Sequence, residues 1–439
     1  MLAGFAEVEF TPKKGNIPGS FLPREAEGTL GGVFSNAAAF TNGDDSVILV
    51  SMDILSFHAE YANDMRQRIS DATGVPASNI LIAATHTHSS APLEYQLWMC
   101  PPDLEISKNT ANKTVEAAIC AWNNRSEAKL GVGRGYEWRY SFCRDWQMSN
   151  GNIQMNPYGR PVEELICPAS DIDHSVNVMR IDDANGKVKC FIVNYANHAA
   201  TDGPQGVFSA DYPGFMRRKL KEMYGQDVIV LFFNGAAGDV NCFDYKYSAH
   251  DEYGGEGKII GEALAMDVKE INKRIHADVT NPCIQSISKI HQTVRRFKTK
   301  EDYEWALNLL EKAKNGEKVS GFDLAFATEY AEDDSNVPKH VDIEIHTIQL
   351  GPWAIVGLPS EIFSEIGLKI KANSPYNNTL VFELANGTHG YISPDRIIRS
   401  KAYEARFSKY NAYTGIGTAD VLINGSVAQL NEMAEKQTY

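Results

Sequence analysis

The sequence predicts an α/β protein, with a mixed or largely parallel β-sheet core flanked by helices. Two observations carry this. Short apolar, β-branched runs alternate with helix-like stretches, the pattern of strands covered by helices. The 439 residues are 43% hydrophobic and 22% charged, ordinary globular usage with ample apolar surface for a core. At roughly 150 residues per domain the length would hold about two or three domains, or one large α/β domain with insertions. We find no internal repeat and no low-complexity tract. The single-domain reading is taken for 1–439, with possible insertions at the Gly- and aromatic-rich stretch 131–170 and the charged segment 296–340.

The strand expectations, in order, are 46–52, 79–84, 189–195, 227–233, 341–350, 353–357 and 378–383. Helices are expected over 59–72, 106–122, 212–224, 257–271 and 300–313. The fourth is clearest, because Ile260, Ala263, Leu264, Val268 and Ile271 recur at i, i+3, i+4 spacing. The run Ala331–Asn336 reads as a solvated loop.

A formal net charge of −14 argues against broad binding to nucleic acid or anionic membranes, since phosphate contacts need clustered Lys and Arg. No basic segment followed by an apolar one opens the sequence, so no secretory signal is expected. No apolar run approaches the ~18–20 residues that cross a bilayer; Val228–Phe233 is the length of a strand. The seven cysteines are odd in number and form no Cys-x-x-Cys pair, which suggests reduced thiols and a cytoplasmic protein.

Five segments could carry chemistry. Ala84-Thr-His-Thr-His-Ser-Ser-Ala-Pro92 follows a strand. In extended backbone His86 and His88 would face one side together, at the end of a strand where open α/β sheets bind ligands; two ordinary histidines are the plainer reading. In Val193-Asn-Tyr-Ala-Asn-His-Ala-Ala-Thr-Asp202, His198 again ends an apolar strand. Phe233-Asn-Gly-Ala-Ala-Gly-Asp-Val-Asn241 runs from a strand into small residues that let backbone approach a ligand. Asp239 there could orient a metal-binding group or only satisfy local backbone. In Gly357-Leu-Pro-Ser-Glu-Ile-Phe-Ser-Glu365, Glu361 is expected in the first turn of a helix, suited either to the helix dipole or to a metal. The fifth is Ala385-Asn-Gly-Thr-His-Gly-Tyr-Ile-Ser-Pro394 with Ala402-Tyr-Glu404. Here Tyr391 and Tyr403 read first as aromatic packing. His, His and Glu dispersed over three strand-end motifs suit a catalytic zinc, which needs three or four protein ligands and an open position.

In this order the motifs resemble the neutral/alkaline non-lysosomal ceramidase family, specifically its N-terminal catalytic domain. The resemblance runs from Ala3-Gly-Phe-Ala-Glu-Val-Glu-Phe-Thr-Pro12 through Thr85–Ser89, Asn197–Ala199, Gly238–Val240 and Pro359–Glu361 to Gly390-Tyr391 and Tyr403-Glu404. Ser209-Ala-Asp-Tyr-Pro-Gly214 looks like the family's shorter bacterial branch. The resemblance implies a single ceramidase-like catalytic domain and one zinc per chain, bound by His86, His198, Glu361 and Tyr391. It further implies catalytic roles for His88, Tyr403 and Arg144, the last in Ser141-Phe-Cys-Arg-Asp145. Asp239, Asn241 and Asn197 are expected to support ligands or touch substrate. Where family ceramidases read Gly-Asp-Val-Ser, this sequence has Asn241, which cannot serve as a serine nucleophile. The family's C-terminal β-sandwich domain is not expected here, which weakens the case for ceramide in a membrane.

The resemblance implies a soluble zinc-dependent hydrolase in which a metal-activated water attacks the carbonyl of an N-acyl (amide) bond. Its substrate would be a small acylated molecule, without nucleic acid or stable membrane association; the oligomeric state is open. The same chemistry suits an ester, lactone or acylated sugar. A zinc-binding protein without catalysis is the alternative of another class.

Overall fold

The computed structural model describes residues 1–18, 24–94, 100–202, 205–244, 256–400 and 402–436. Eight strands form the larger sheet: β1 (Leu2–Glu9), β2 (Phe34–Asn42), β3 (Asp45–Met52), β4 (Ile80–Ala84), β5 (Ser126–Tyr136), β6 (Ser175–Asp183), β7 (Val188–Tyr195) and β8 (Ile229–Asn234), in the order β8-β7-β6-β5-β1-β2-β3-β4. A second sheet has the order β9 (Ile284–Val294), β10 (His340–Leu350), β11 (Trp353–Gly357), β12 (Thr379–Phe382). Both sheets are mixed, but most neighbours are antiparallel. The parallel pairs are β3–β4, β7–β8 and β11–β12. Each is joined by a crossover containing a helix: α1 (Ala59–Thr73), α3 (Asp211–Tyr224) and α7 (Ser364–Ala372) respectively. The local α/β alternation thus comes from three edge units, while hairpins build most of the sheet; the largely parallel alternative does not hold.

Alternation along each strand explains the layering. On β3, Val47 and Leu49 face the second sheet, joining Ile348, Ile355 and Leu380 in one apolar layer. Ile48 and Val50 face the other way, onto α1 and α2 (Leu104–Asn123). At the other end of the sheet Val193, Val230 and Phe232 pack on α3 and α4 (Glu256–Asn272). The outer face of the second sheet carries Ile343, Val356 and Val381 against α7 and α8 (Thr418–Glu435). The architecture is four layers, α/β/β/α.

Helix ends follow local chemistry. The Asp103 side chain caps α2 by accepting from the backbone of Glu105 and Ile106, and α1 stops at Gly74 in the left-handed conformation. Between β9 and β10, within the segment read as a possible insertion, lie α5 (Lys300–Lys314), opened by a Thr299/Asp302 capping box, and α6 (Gly321–Tyr330). Residues 131–136 of the other such segment continue β5 inside the large sheet. Their glycines make room for the chain that leaves α4: a Cβ on Gly133 would lie 2.8 Å from carbons of Ile271 and Ile275.

One short segment brings the sheet's two edges to a common point. After β12, the Glu383 N–H donates to Asn234 O at the end of β8. Three residues on, Asn386 exchanges bonds with Ile82 of β4, its N–H donating to Ile82 O and its side-chain Oδ1 accepting from Ile82 N. Phe233 of β8 stacks on Phe382 of β12, ring centroids 4.3 Å apart, a contact worth about 1 kcal/mol beyond its buried area. Ser51 Oγ of β3 also donates to Phe232 O of β8. The C-terminal ends of β4, β7 and β11 therefore open toward one cavity.

Candidate metal centre

His86 and His88 lie beyond the end of β4. Thr85 N–H donates to Met52 O and His86 N–H to Ile54 O, which lays this turn along the segment leaving β3. His86 has φ 68°, in the left-handed region that non-glycine residues rarely occupy. The two rings do meet, edge to face at 5.0 Å between centroids. A left-handed kink brings them together, not the strand pleat expected from the sequence. His88 N–H donates to Ala199 O, tying this turn to the one that carries His198.

Both expected histidine ligands are oriented by backbone. His86 Nδ1 faces Leu55 O at 3.0 Å and His198 Nδ1 faces Ala237 O at 3.1 Å. Each Nδ1 is then the protonated nitrogen, leaving the Nε2 lone pair directed into the cavity. Asp239 does not perform this task. Its Oδ1 accepts from Ser364 N and Oγ at 2.8 Å, and its Oδ2 accepts from Ser170 Oγ, so it secures the start of α7.

Glu361 is not in a helical turn either. Glu361–Ile362 pairs in parallel with Tyr391–Ile392, placing Glu361 beside Tyr391, and α7 begins only at Ser364. Gly390 makes this possible. It has φ 72°, and a Cβ there would lie 2.2 Å from Asn411 O. Glu361 Oε2 is 3.3 Å from both His86 Nε2 and His198 Nε2. Buried His86 Nε2 and Glu361 Oε2 have no hydrogen-bond partner among the described residues. Donors about 2.0–2.1 Å from a tetrahedral zinc stand roughly 3.3 Å apart, so this donor set fits such an ion. His88 belongs to the same group: one ligand atom each of His86, His88 and His198 lie within 4.8 Å of one another.

Burial favours the neutral form of every group here, and the neighbours decide the outcome. For His86 burial is outweighed by the Glu361 carboxylate, and the pKa is raised. His198 is held well below the ordinary imidazole value by burial and the Arg144 guanidinium. Against its burial, Glu361 is held well below the carboxylate range by the two imidazoles. Arg144 Nη1 donates to His198 Nε2 at 3.1 Å and its Nε to Glu404 Oε1 at 2.7 Å; the guanidinium carbon lies 5.3 Å from the Tyr391 ring centroid. The His198 lone pair serves one partner at a time, so a cation there requires Arg144 to release it. Tyr391 and Tyr403 pack edge to face at 5.8 Å, and Tyr403 Oη donates to Asn411 Oδ1 at 3.1 Å. Burial raises both phenol pKa values.

These residues line a cavity of about 110 Å³, together with Asn241, Met155 and Phe243. Asn241 Nδ2 donates to Asn156 Oδ1 at 3.1 Å. Asn197 stands outside the lining: its Nδ2 donates to Tyr140 O, and it holds the histidine turn in place. Sequence reading missed three residues. Glu383 is fully buried. Its Oε1 accepts from Asn234 Nδ2 and its Oε2 from Ala237 N and Ile362 N, all at 3.0 Å, and burial pushes its pKa up to about 8. Its only sequence signal was a carboxylate ending an apolar strand. His58 and Glu94 line the cavity as an ion pair, and neither lies in a motif that suggested chemistry.

No protein-family model and no curated protein matches the sequence. Solved structures do match. The neutral ceramidase from Pseudomonas aeruginosa aligns with a TM-score of 0.71 and 15% identity over 98% of this chain and 74% of that one. A ceramidase complexed with C2 aligns with a TM-score of 0.74 and 15% identity over 99% and 75%. The chain therefore has the neutral ceramidase fold, over about three quarters of those chains. The motif resemblance holds at the level of the fold. Among the described residues no helix is long and apolar enough to cross a membrane.

Proposed function

We propose that this chain is a zinc-dependent hydrolase that cleaves an amide (N-acyl) bond in a small acylated substrate. The observation that carries this reading is the convergence of two carbonyl-oriented imidazoles on one Glu361 oxygen, 3.3 Å from each, inside a fold shared with ceramidases. His86, His198, Glu361 and Tyr391 would hold one zinc per chain. When bound, zinc supplies Lewis acidity toward a carbonyl oxygen and lowers the pKa of water toward about 7.

The chain's own groups do the rest. Arg144, fixed by Glu404, presents a guanidinium toward the oxyanion that develops at the attacked carbonyl. Tyr403 adds a hydroxyl on the same side of the cavity. His88 returns a proton to the leaving nitrogen, a role suited to an imidazole near neutral pH. Asn241 takes the place of a nucleophilic serine and forms no acyl intermediate. The described cysteines are all free thiols, which supports a reducing, cytoplasmic setting. The net charge of −14 supports a small-molecule partner over nucleic acid or an anionic bilayer.

The test is elemental analysis of protein purified without added metal, beside His86→Ala. About one zinc per chain, lost in the variant together with metal-dependent amide cleavage, is the expected result. Retained zinc and full activity in His86→Ala would overturn the assignment.

A further inference from the structure

Beside Arg144, outside the cavity lining, stands a pair of acids with too few donors. Asp145 is fully buried, and neither of its carboxyl oxygens has a hydrogen-bond partner among the described residues. Glu404 is buried too. Its Oε1 lies 2.7 Å from both Nε and Nη2 of Arg144, while its buried Oε2 has no hydrogen-bond partner among the described residues. The Asp145 and Glu404 carboxyls are within hydrogen-bonding reach of each other. As two carboxylates they could only accept, and neither would satisfy the other. Asp239 faces the same pair, but its oxygens are taken by Ser364 and Ser170. Substrate cannot supply the missing donor, because neither acid lines the cavity. A hard cation would need about six or more oxygens, which two carboxyls do not offer. A single proton between the two acids meets the need.

We propose that Asp145 is a positioning residue: it carries a proton and donates it to Glu404 Oε2, fixing Glu404 and, through it, Arg144. Glu404 is the ionised partner, because the Arg144 guanidinium sits on its other oxygen. The three groups are then net neutral, the state a fully buried cluster favours. Burial and the Glu404 carboxylate hold the Asp145 pKa well above the carboxylate range, in keeping with a proton there at neutral pH. With Nε and Nη2 engaged by Glu404, Nη1 is the end of Arg144 that reaches His198 Nε2. The proposal rests on the hydrolase reading only for the chemistry that Arg144 serves.

The test compares full-length, zinc-loaded wild type with Asp145→Asn, which keeps a donor, and Asp145→Leu, which keeps the volume and loses the donor; Asp145→Ala replaces the leucine variant if that does not fold. Infrared spectra at pH 7 of protein labelled with carbon-13 aspartate are expected to show a label-shifted protonated-carboxyl band that Asp145→Asn lacks. No such band in wild type overturns the proposal. The positioning is read without substrate, from exchange of the Arg144 Nε–H followed by nitrogen-15 magnetic resonance. Protection is expected to be retained in Asp145→Asn and to fall about tenfold or more in the leucine variant, as expected for loss of a hydrogen bond to a charged group. Equal protection in all three, or loss in Asp145→Asn as large as in the leucine variant, overturns the proposal. On hexanoyl p-nitroanilide, kcat is expected to stay within about threefold of wild type in Asp145→Asn and to fall about tenfold to a hundredfold in the leucine variant, with KM little changed. Full kcat in the leucine variant likewise overturns it. If wild type does not cleave the anilide, the amide-hydrolase reading fails on its own, and the infrared and exchange readouts still decide the role of Asp145.

Discussion

The two halves of the candidate metal centre are built differently. The histidine half sits on turns that leave β4 and β7, and its rings are aimed by backbone carbonyls of Leu55 and Ala237. Side-chain changes at those two residues leave the carbonyl acceptor in place. The glutamate–tyrosine half is a two-residue parallel ladder, Glu361 beside Tyr391, whose support includes a buried side chain, Glu383. Glu383 also accepts from Ala237 N, so the same carboxyl steadies the residue whose carbonyl orients His198. The first half is defined by backbone and leans on Glu383 only on its His198 side. The second concentrates its dependence in one carboxyl that touches neither the cavity nor a ligand.

The sharpest way to break this contrast is Glu383→Ala. It strands three buried donors, at about 1–3 kcal/mol each when left unsatisfied. We expect a loss of about 4 kcal/mol in urea unfolding, together with weakened zinc binding, because both ladder and loop lose their anchor. Glu383→Gln keeps one acceptor and is expected to lose about half as much. Leu55→Ala, by contrast, is expected to retain zinc at the wild-type level, whatever it costs in packing. Loss of less than about 1 kcal/mol in Glu383→Ala would show that the carboxyl is not the anchor.

The next effect concerns the segment that joins the sheet edges. His346 is fully buried, with Nε2 2.9 Å from Ser286 Oγ and Nδ1 2.9 Å from Asn386 Nδ2. Since Asn386 Oδ1 accepts from Ile82 N, its amide nitrogen must face the ring, and Nδ1 must be the unprotonated acceptor. Burial pushes the His346 pKa down to about 4, against the opposing Glu344 carboxylate. A depressed folded-state pKa contributes stability that is present above the unfolded value, near 6.5, and lost as pH falls through about 4. The shift corresponds to about 3 kcal/mol over that window. Urea unfolding at pH 7 and pH 4.5 is expected to show a steeper acid loss in wild type than in His346→Gln. Equal slopes would mean that His346 is not held neutral.

Much of this was legible in the sequence. Strands β3, β4, β7, β8, β10, β11 and β12 and helices α1 to α5 fall where short apolar runs and helical spacing put them. Two of the five strands that were missed have clear physical reasons. Phe34–Asn42 is alanine-rich and buried on both faces, so it lacks alternation. The second half of Ser126–Tyr136 reads as the start of a possible insertion because of its glycines, which accommodate Ile271 and Ile275. The dispersed His, His, Glu and Tyr motifs do meet in one cavity, but sequence could not show how. The φ of His86 is an unusual backbone conformation, and the ladder that aligns Glu361 depends on a partner thirty residues further along the chain. His58 and Glu94 carry no local signature, and Glu383 shows only as a carboxylate ending an apolar strand, because their meaning lies in what surrounds them.

The smallest expected effect tests the departure at Asn241. Its backbone pairs with Phe142, and its side chain donates to Asn156, whose N–H donates to Arg144 O. Asn241 therefore clips together the segment that presents Arg144. A serine at this position is too short to reach Asn156 Oδ1, so Asn241→Ser loosens Arg144 instead of adding a nucleophile. We expect kcat/KM to fall about threefold to tenfold, roughly the worth of one modest hydrogen bond. Mass spectrometry of the variant during turnover is expected to show no acyl adduct. An acyl-serine adduct with raised activity would mean that residue 241 faces the reacting carbonyl, and that the loop holding Arg144 is secured by other contacts.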